Sequence, residues 1–566
     1  MAFVMQAKML LTGGKKQGDQ STEQMTLKKG LSVFGEDGRD AVRKEMKQLH
    51  DRDTIEPCVA ASLSREQRKK ALQYLMFLKR KRCGRIKGRG CADGRKQRIY
   101  KDKSETSSPT VKLESLMLSG VIDAHERRKV ATLDVPGAFM QTDIDEEVHV
   151  RLEGEMAELL ASVDSRLYEQ YMVEERGKSV LYVKLKKALY GTLQAALLFW
   201  KDLSGFLVDE LGYTLNKYDS CVANKMVNGK QCTILWHVDD LKISHVEESV
   251  IEEVIAMLNE RYGKLDEVTV TRGDVHEYLG MTMDYSVPGE VSFKMTEYVE
   301  KMLDECPEYL GGRGTARTPA TTKLFEVNES TDQLDENKAD EFHHVVAQLL
   351  FLSKRARPDL QTAVAFLTTM VTVPDEDDMK KLGRVMKYLR ETKDLFLTLS
   401  ADNLHALNWW VDASFAVHKD MRSHTGVMLS LGRGAVYANS TRQKLNTRSS
   451  TEAELVGVDD AMPMVLWVKK FMEEQGFKIT ENIVYQDNQS AILLERNGKR
   501  SSTKRTRHLD VRYYFVTDRI GAKELCVKYC PTEEMRSDGN TKPLMGAAFL
   551  RWRRWLLNCR ADGTAN

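Results

Sequence analysis

Residues 232–244 read CTILWHVDDLKIS. A run of apolar and β-branched residues, the composition of a strand, ends in two adjacent carboxylates, Asp239 and Asp240, and apolar residues resume at once. Carboxylates in half-buried surroundings cost free energy unless a cation or hydrogen bonds compensate them. A divalent metal suits oxygen ligands of this kind. An Asp-Asp pair alone is ordinary turn composition, so its company decides the reading. A third aspartate, Asp134, stands in similar surroundings in KVATLDV (129–135). Two hard cations held by shared carboxylates can activate one oxygen and stabilise another in phosphoryl transfer.

Outward from this pair the chain reads as α+β. EEVHVRL (146–152) alternates like a strand, and LYVKL (181–185) leads into a turn and helix at ALYGTLQAALLFWKDLSGFLVDELG (188–212). In ESVIEEVIAMLNERYG (248–263), Val250, Val254, Leu258 and Tyr262 share one helical face. HEYLGMTMDY (276–285) and EVSFKM (290–295) form a hairpin about Pro288 and Gly289. Residues 311–340 are a polar connecting loop, and helices follow from about Glu341 to Glu391. Strands return near Ala401 with LNWWVD, GVMLSL and AVYANS, then a long helix, so a second α/β domain starts there.

A chain of 566 residues predicts roughly three or four domains. With 42% hydrophobic and 30% charged residues it can bury several cores. No stretch is apolar for long enough to span a bilayer, and the first twenty residues lack the layout of a secretory signal. An intracellular protein is expected. Nine cysteines without C-x-x-C or Cys/His finger spacing exclude a zinc module or a disulfide framework, and Cys526 and Cys530 read as strand residues. A net charge of +2 hides a basic segment, Lys79–Lys103, which suits phosphate contacts or an ordinary solvated loop.

The ordered set LDVPGAF (133–139), KKALYGTLQA (186–195) and WHVDDLKIS (236–244) resembles the reverse transcriptase of copia-type long-terminal-repeat retrotransposons. The similarity continues through HEYLGM (276–281), QLLFLSKRARPDLQTAVAFL (348–367) and KYLRETKDL (387–395). The resemblance implies an α+β polymerase with palm, fingers and thumb, followed by an α/β ribonuclease H-like domain with a mixed five-stranded sheet. The expected layout is a poorly defined lead-in at 1–64, fingers and palm at 65–265 and thumb and connection at 266–400. A ribonuclease H-like domain at 401–545 and a tail at 546–566 complete it.

By the same resemblance Asp134, Asp239 and Asp240 are the metal-binding triad of a polymerase, and Phe139 is an aromatic steric gate against a ribose 2′-hydroxyl. Gln194 packs beside nucleotide and template, Lys87 and Arg89 contact the triphosphate, and the YLGM hairpin grips the primer. His237 departs from the family's tyrosine, and Thr192-Leu193 from its Leu-Lys. In the second domain, Asp412 (NWWVDAS), Glu452 or Glu454 (SSTEAEL), Asp487 (VYQDNQSAI) and a late aspartate resemble a ribonuclease H site. Ser449 and Glu452 have capping-box spacing, which leaves Glu454 for the metal. The late acid is Asp538 (PTEEMRSDGNTKPL), with Asp510 the alternative; Gly539 disfavours the helix the family has there. Lys504, Arg505 and Arg507 would face the hybrid's phosphates or solvent.

The implied cofactors are two Mg2+ ions, or Mn2+, in each active site. The implied partners are an RNA template, a DNA or tRNA primer, an RNA-DNA hybrid and deoxynucleoside triphosphates, with no membrane. The expected place is intracellular, in the cytoplasm, with virus-like particles as an alternative. No protease, integrase or nucleocapsid signature is recognised, which suggests the C-terminal part of a longer polyprotein or a truncated genomic copy. A catalytically inactive nucleic-acid-binding remnant is the alternative, and a group II intron or telomerase-like polymerase a more distant one.

Overall fold

The computed structural model describes residues 24–81, 84–102, 105–311, 314–498 and 510–560. It divides into two compact units, one of residues 1–110, 134–213 and 255–269, the other of residues 111–133, 214–254 and 270–566. The fold is mixed α/β with four sheets among the described residues.

The first unit is built on a seven-stranded sheet backed by the helix Leu27–Asp51. That helix lies in the stretch expected to be a poorly defined lead-in. Its buried face is Gly30, Phe34, Gly38, Val42, Met46 and Leu49. Two of the six are glycines, so a scan for apolar periodicity loses the helical repeat. Gly30 is there because Leu78 comes close: a Cβ on it would lie 2.7 Å from Leu78 Cδ1, while one on Gly38 would crowd Phe34 Cβ at 3.2 Å. The strands Leu72–Arg80 and Ile86–Ala92 form an antiparallel hairpin against this helix. Gly88 and Gly90 are buried, and a Cβ at Gly88 would meet the Ala41 carbonyl at 2.8 Å. Strand alternation therefore turns Lys87 and Arg89 outward, where both are exposed.

In the second unit the helix Leu113–Glu126 is buried along most of its length. A six-stranded sheet runs in the order Thr269–Thr271, Lys129–Asp134, Asp240–His245, Lys230–His237, Asp219–Val227, Thr214–Asn216, its first and second strands ending or starting at the unit boundary. Between helix and sheet Lys242 and Asp123 are both fully buried and paired, with Arg128 3.8 Å from Asp123 and Ser119 3.3 Å from Lys242.

A five-stranded sheet follows, Val275–Tyr278, Met281–Asp284, Val291–Lys294, Leu397–Ala401, Gly432–Arg433. The HEYLGM stretch is a hairpin in its own right: Tyr278 pairs with Met281, and Leu279 and Gly280 both have positive φ, +50° and +77°. Two left-handed residues in a two-residue loop match the twist of the flanking strands. The hairpin expected at Pro288 and Gly289 is present beside it.

The remaining sheet carries the acids of the second constellation. Its strands are β1 (Ala406–Ser414), β2 (His424–Ser430), β3 (Tyr437–Arg442), β4 (Glu481–Gln486) and β5 (Cys526–Tyr529). Their order is β3-β2-β1-β4-β5, with β1–β2 and β2–β3 antiparallel and β1–β4 and β4–β5 parallel. The mixed five-stranded sheet is therefore as expected. Its helices are α1 (Ser450–Glu474), α2 (Gln489–Asn497), α3 (Asp510–Gly521), α4 (Asp538–Thr541) and α5 (Gly546–Leu557).

Two expected boundaries fall elsewhere. The stretch read as a tail forms α5, which buries Phe549, Trp552, Leu556 and Leu557; its spacing is helical, but three interspersed arginines hide the apolar face. The boundary at 400/401 lies inside the strand Leu397–Ala401, within one unit. That unit is joined further by α1: Trp467 donates to the Tyr218 carbonyl at 3.0 Å, Gln231 to the Gln475 carbonyl at 2.9 Å, and Lys217 pairs with Glu474 at 3.0 Å.

Candidate metal centre and neighbouring motifs

Asp412, Glu454 and Asp487 each offer a carboxylate oxygen, and the three lie within 4.8 Å of one another. Asp412 comes from β1, Glu454 from the second turn of α1, and Asp487 follows β4 directly. Parallel pairing of β1 with β4 brings their C-terminal ends to the same edge. Asp412 and Glu454 are 2% and 5% exposed. Burial raises the proton affinity of both, and for Glu454 the carboxylates of Asp412 and Asp487 raise it further. Glu454 receives the Ala413 amide, while its Oε2 is buried without a hydrogen-bond partner. Crowded acids with an orphaned oxygen fit a divalent cation, which would compensate the charge and take the free lone pair.

Glu452 is occupied differently. It is buried, its amide binds Ser449 Oγ at 3.2 Å, and its carboxylate accepts from the Arg448 amide at 2.7 Å. This reciprocal cap is displaced by one residue from the usual box, in which the side chain returns to the N-cap amide.

Asp538 lies outside the group of three. It starts α4, and Lys542 donates to its Oδ1. Thr541 donates to Asp412 Oδ2, and Lys542 Nζ stands 3.5 Å from that same oxygen. Thr541 and Lys542 are residues that sequence reading passed over, although both stand within the quoted motif. Gly539 does not prevent the turn of helix; it is required by Trp552, whose ring would lie 2.3 Å from a Cβ. Asp510 begins α3. Lys504, Arg505 and Arg507 lie outside the described residues.

A second glycine positions this segment. Gly426 on β2 pairs directly opposite Asp412 on β1. A Cβ there would lie 2.7 Å from Thr541 Cγ2 and 2.8 Å from both Asn540 Cβ and the Ser537 carbonyl. Gly426→Val should therefore lower stability by about 1–3 kcal/mol, the usual scale of overpacking. Urea denaturation checks the loss, and hydrogen exchange should show faster exchange at residues 537–542.

Asp239 and Asp240 sit at the tip of a hairpin. His237 pairs with Asp240, so Val238 and Asp239 form a two-residue loop. Val238 has φ +62°, a conformation a β-branched residue avoids, at a cost of about 1–3 kcal/mol. The turn is braced from the HEYLGM hairpin: Tyr278, 3% exposed, donates to the Asp240 carbonyl at 3.1 Å. Burial lowers the proton affinity of His237, and Asp239 partly opposes this. Asp134 is the last residue of its strand and exposed.

In the first unit Phe139 is 4% exposed and packs on Tyr190 with ring centroids 4.3 Å apart. Gln194 is 1% exposed; it donates to Glu146 at 2.6 Å and accepts from Gln97 at 3.1 Å. Gly191 is held at φ +90°, where a Cβ would lie 2.1 Å from the Ala92 carbonyl, so this loop closes on the end of the basic hairpin. Lys87 lies on that hairpin close enough to feel the charge of Asp134.

Residues 61–320 match the family model described as reverse transcriptase (RNA-dependent DNA polymerase). The chain is 26% identical over 513 residues to the retrovirus-related Pol polyprotein from transposon TNT 1-94 of Nicotiana tabacum, covering 89% of this chain and 36% of that one. It is 27% identical over 468 residues to that from transposon RE1 of Arabidopsis thaliana, covering 82% and 30%. It is 22% identical over 542 residues to the transposon Ty1-NL2 Gag-Pol polyprotein of Saccharomyces cerevisiae, covering 91% and 29%. The chain thus spans about a third of the length of these relatives. Among solved structures, a foamy viral protease-reverse transcriptase in complex with double-stranded DNA aligns over 92% of this chain and 84% of its own, with 11% identity and a TM-score of 0.44. No helix of the described residues is long and apolar enough to cross a membrane.

Proposed function

We propose that this chain, which carries a reverse transcriptase domain at residues 61–320 and has copia-type Pol polyproteins as its relatives, is an RNA-directed DNA polymerase joined to a nuclease for the RNA strand of RNA-DNA hybrids. The polymerase reading rests on the family match, within which Asp239 lies in a braced two-residue turn and Asp240 starts the strand that follows it. The nuclease reading rests on the convergence of Asp412, Glu454 and Asp487 at one sheet edge. In this reading the second unit contains the thumb, the connection and a ribonuclease H-like domain, and the palm sheet lies beneath Asp239 and Asp240.

Asp134, Asp239 and Asp240 would hold divalent cations at the polymerase centre, and Asp412, Glu454 and Asp487 at the nuclease centre; Mg2+ or Mn2+ suits these oxygen ligands. Such ions, when bound, stabilise the charge that develops on a phosphate undergoing in-line displacement. Lys87 and Arg89, turned outward by the buried glycines between them, would meet the triphosphate. Phe139 would limit space beside the sugar through its packing on Tyr190. Gln194 would act through its bonds to Gln97 and Glu146, holding the loop that carries Tyr190 and Gly191. Template RNA, a DNA or tRNA primer, the hybrid and deoxynucleoside triphosphates are the partners this chemistry needs, in an intracellular setting.

Purified protein with Mg2+ should extend a DNA primer on an RNA template and cut the RNA strand of a preformed hybrid. A folded protein that incorporates no nucleotide would overturn the polymerase reading and favour a nucleic-acid-binding remnant. One that leaves the hybrid intact would overturn the nuclease reading.

A further inference from the structure

The nuclease centre has two halves with different charge. On one side Asp412, Glu454 and Asp487 face one another, and Glu454 Oε2 is buried and unpartnered. On the other side the cation is already part of the chain. Lys542 Nζ donates to Asp538 Oδ1 and stands 3.5 Å from Asp412 Oδ2, the oxygen that also accepts from Thr541. The ammonium thus lies between the first-strand acid and the late acid.

This placement is built into the fold. Lys542 follows α4 and lies four residues after Asp538, the spacing that brings side chains together on a helix. The α4 turn is fixed by three independent features. Gly426 clears the sheet surface for it, Thr362 donates to the Gly539 carbonyl at 2.6 Å, and Ser440 donates to the Asn540 carbonyl at 2.7 Å. A divalent ion bridging Asp412 and Asp538 would have to share their oxygens with an ammonium a few ångström away. Charges of the same sign at that distance repel strongly where water is scarce.

We propose that Lys542 is the second cation of this centre: Asp412, Glu454 and Asp487 take one divalent ion, and Asp538 anchors Lys542 instead of ligating metal. Lys542 and Asp538 are then positioning residues, which hold one oxygen of Asp412 and leave the other for the ion. The inference rests on the nuclease reading above.

Mn2+ binding, counted by electron paramagnetic resonance, tests it on the full chain. The background is Asp239→Asn/Asp240→Asn, which removes polymerase ligands so that tight binding reports the nuclease centre. With Lys542 intact one Mn2+ should bind tightly; Lys542→Met should raise the count to two, and Lys542→Arg should keep it at one. Lys542 is 44% exposed in its side chain, so these variants should fold, and circular dichroism checks that they do. Two tightly bound ions with Lys542 intact, or a count still at one in Lys542→Met, would overturn the role of Lys542. Asp412→Asn separates the two levels of inference. It should abolish tight binding, and if the ion is retained the metal-centre reading itself fails.

Discussion

Asp239→Asn should reduce nucleotide incorporation on a primed RNA template by a factor on the order of 10⁴ or more, the scale of loss when one member of a catalytic group acting as a unit is removed. Asparagine keeps the size and hydrogen-bonding reach of the side chain, so the turn between His237 and Asp240 should persist. What disappears is the charge that holds a divalent ion. Cleavage of a preformed hybrid should be unchanged within about twofold, because its acids lie on a different sheet. Asp487→Asn should give the reverse pattern. Single-nucleotide incorporation and hybrid cleavage, measured on the same preparations, provide the check. Synthesis by Asp239→Asn within tenfold of the parent would remove Asp239 from the centre.

Asp123→Ala should destabilise the second unit by about 3–5 kcal/mol, the usual penalty for stripping a buried charge of its partner. Lys242 is 1% exposed and would keep an ammonium facing Ser119 and no carboxylate. Arg128 would lose the same acid, while Thr233 and Glu126 still bind it. Lys242 is two residues beyond Asp240 on the same strand, so the damage should reach the Asp-Asp turn. The paired change Asp123→Leu/Lys242→Met should cost less than Asp123→Ala, since it removes both charges together. Guanidinium denaturation of the two variants checks the order. A double variant less stable than Asp123→Ala would show that the pair contributes net stability.

The elements legible in the sequence were those whose pattern is carried by side chains. The apolar run in 232–238 marks the strand that ends at the Asp-Asp pair, and the acids at the ends of LNWWVD and VYQD lie at one edge of the mixed sheet. Elements whose packing depends on a missing side chain were not legible. The helix Leu27–Asp51 uses Gly30 and Gly38 as contact surface, and α4 docks through Gly426 and Gly539. A glycine raises helix cost in any propensity scale, and only the neighbour in space, Leu78 or Trp552, explains it. Partnerships across long sequence separation were equally hidden. Tyr278 reaches Asp240 across 38 residues and Thr541 reaches Asp412 across 129. Nothing local marks either as a support.

The seam between α1 and the strands around Tyr218 and Gln231 bears on how this chain can be taken apart. Trp467, Gln475 and Glu474 are bonded to the sheet that holds the Asp-Asp turn, and Leu397–Ala401 is a strand with partners on both sides. Severing the chain near residue 400 would therefore break a sheet and strip a covered face; it would not release two finished proteins. The Asp-Asp turn and the second acidic cluster thus lie in one unit, and a deletion that removes either one exposes a buried face of the other.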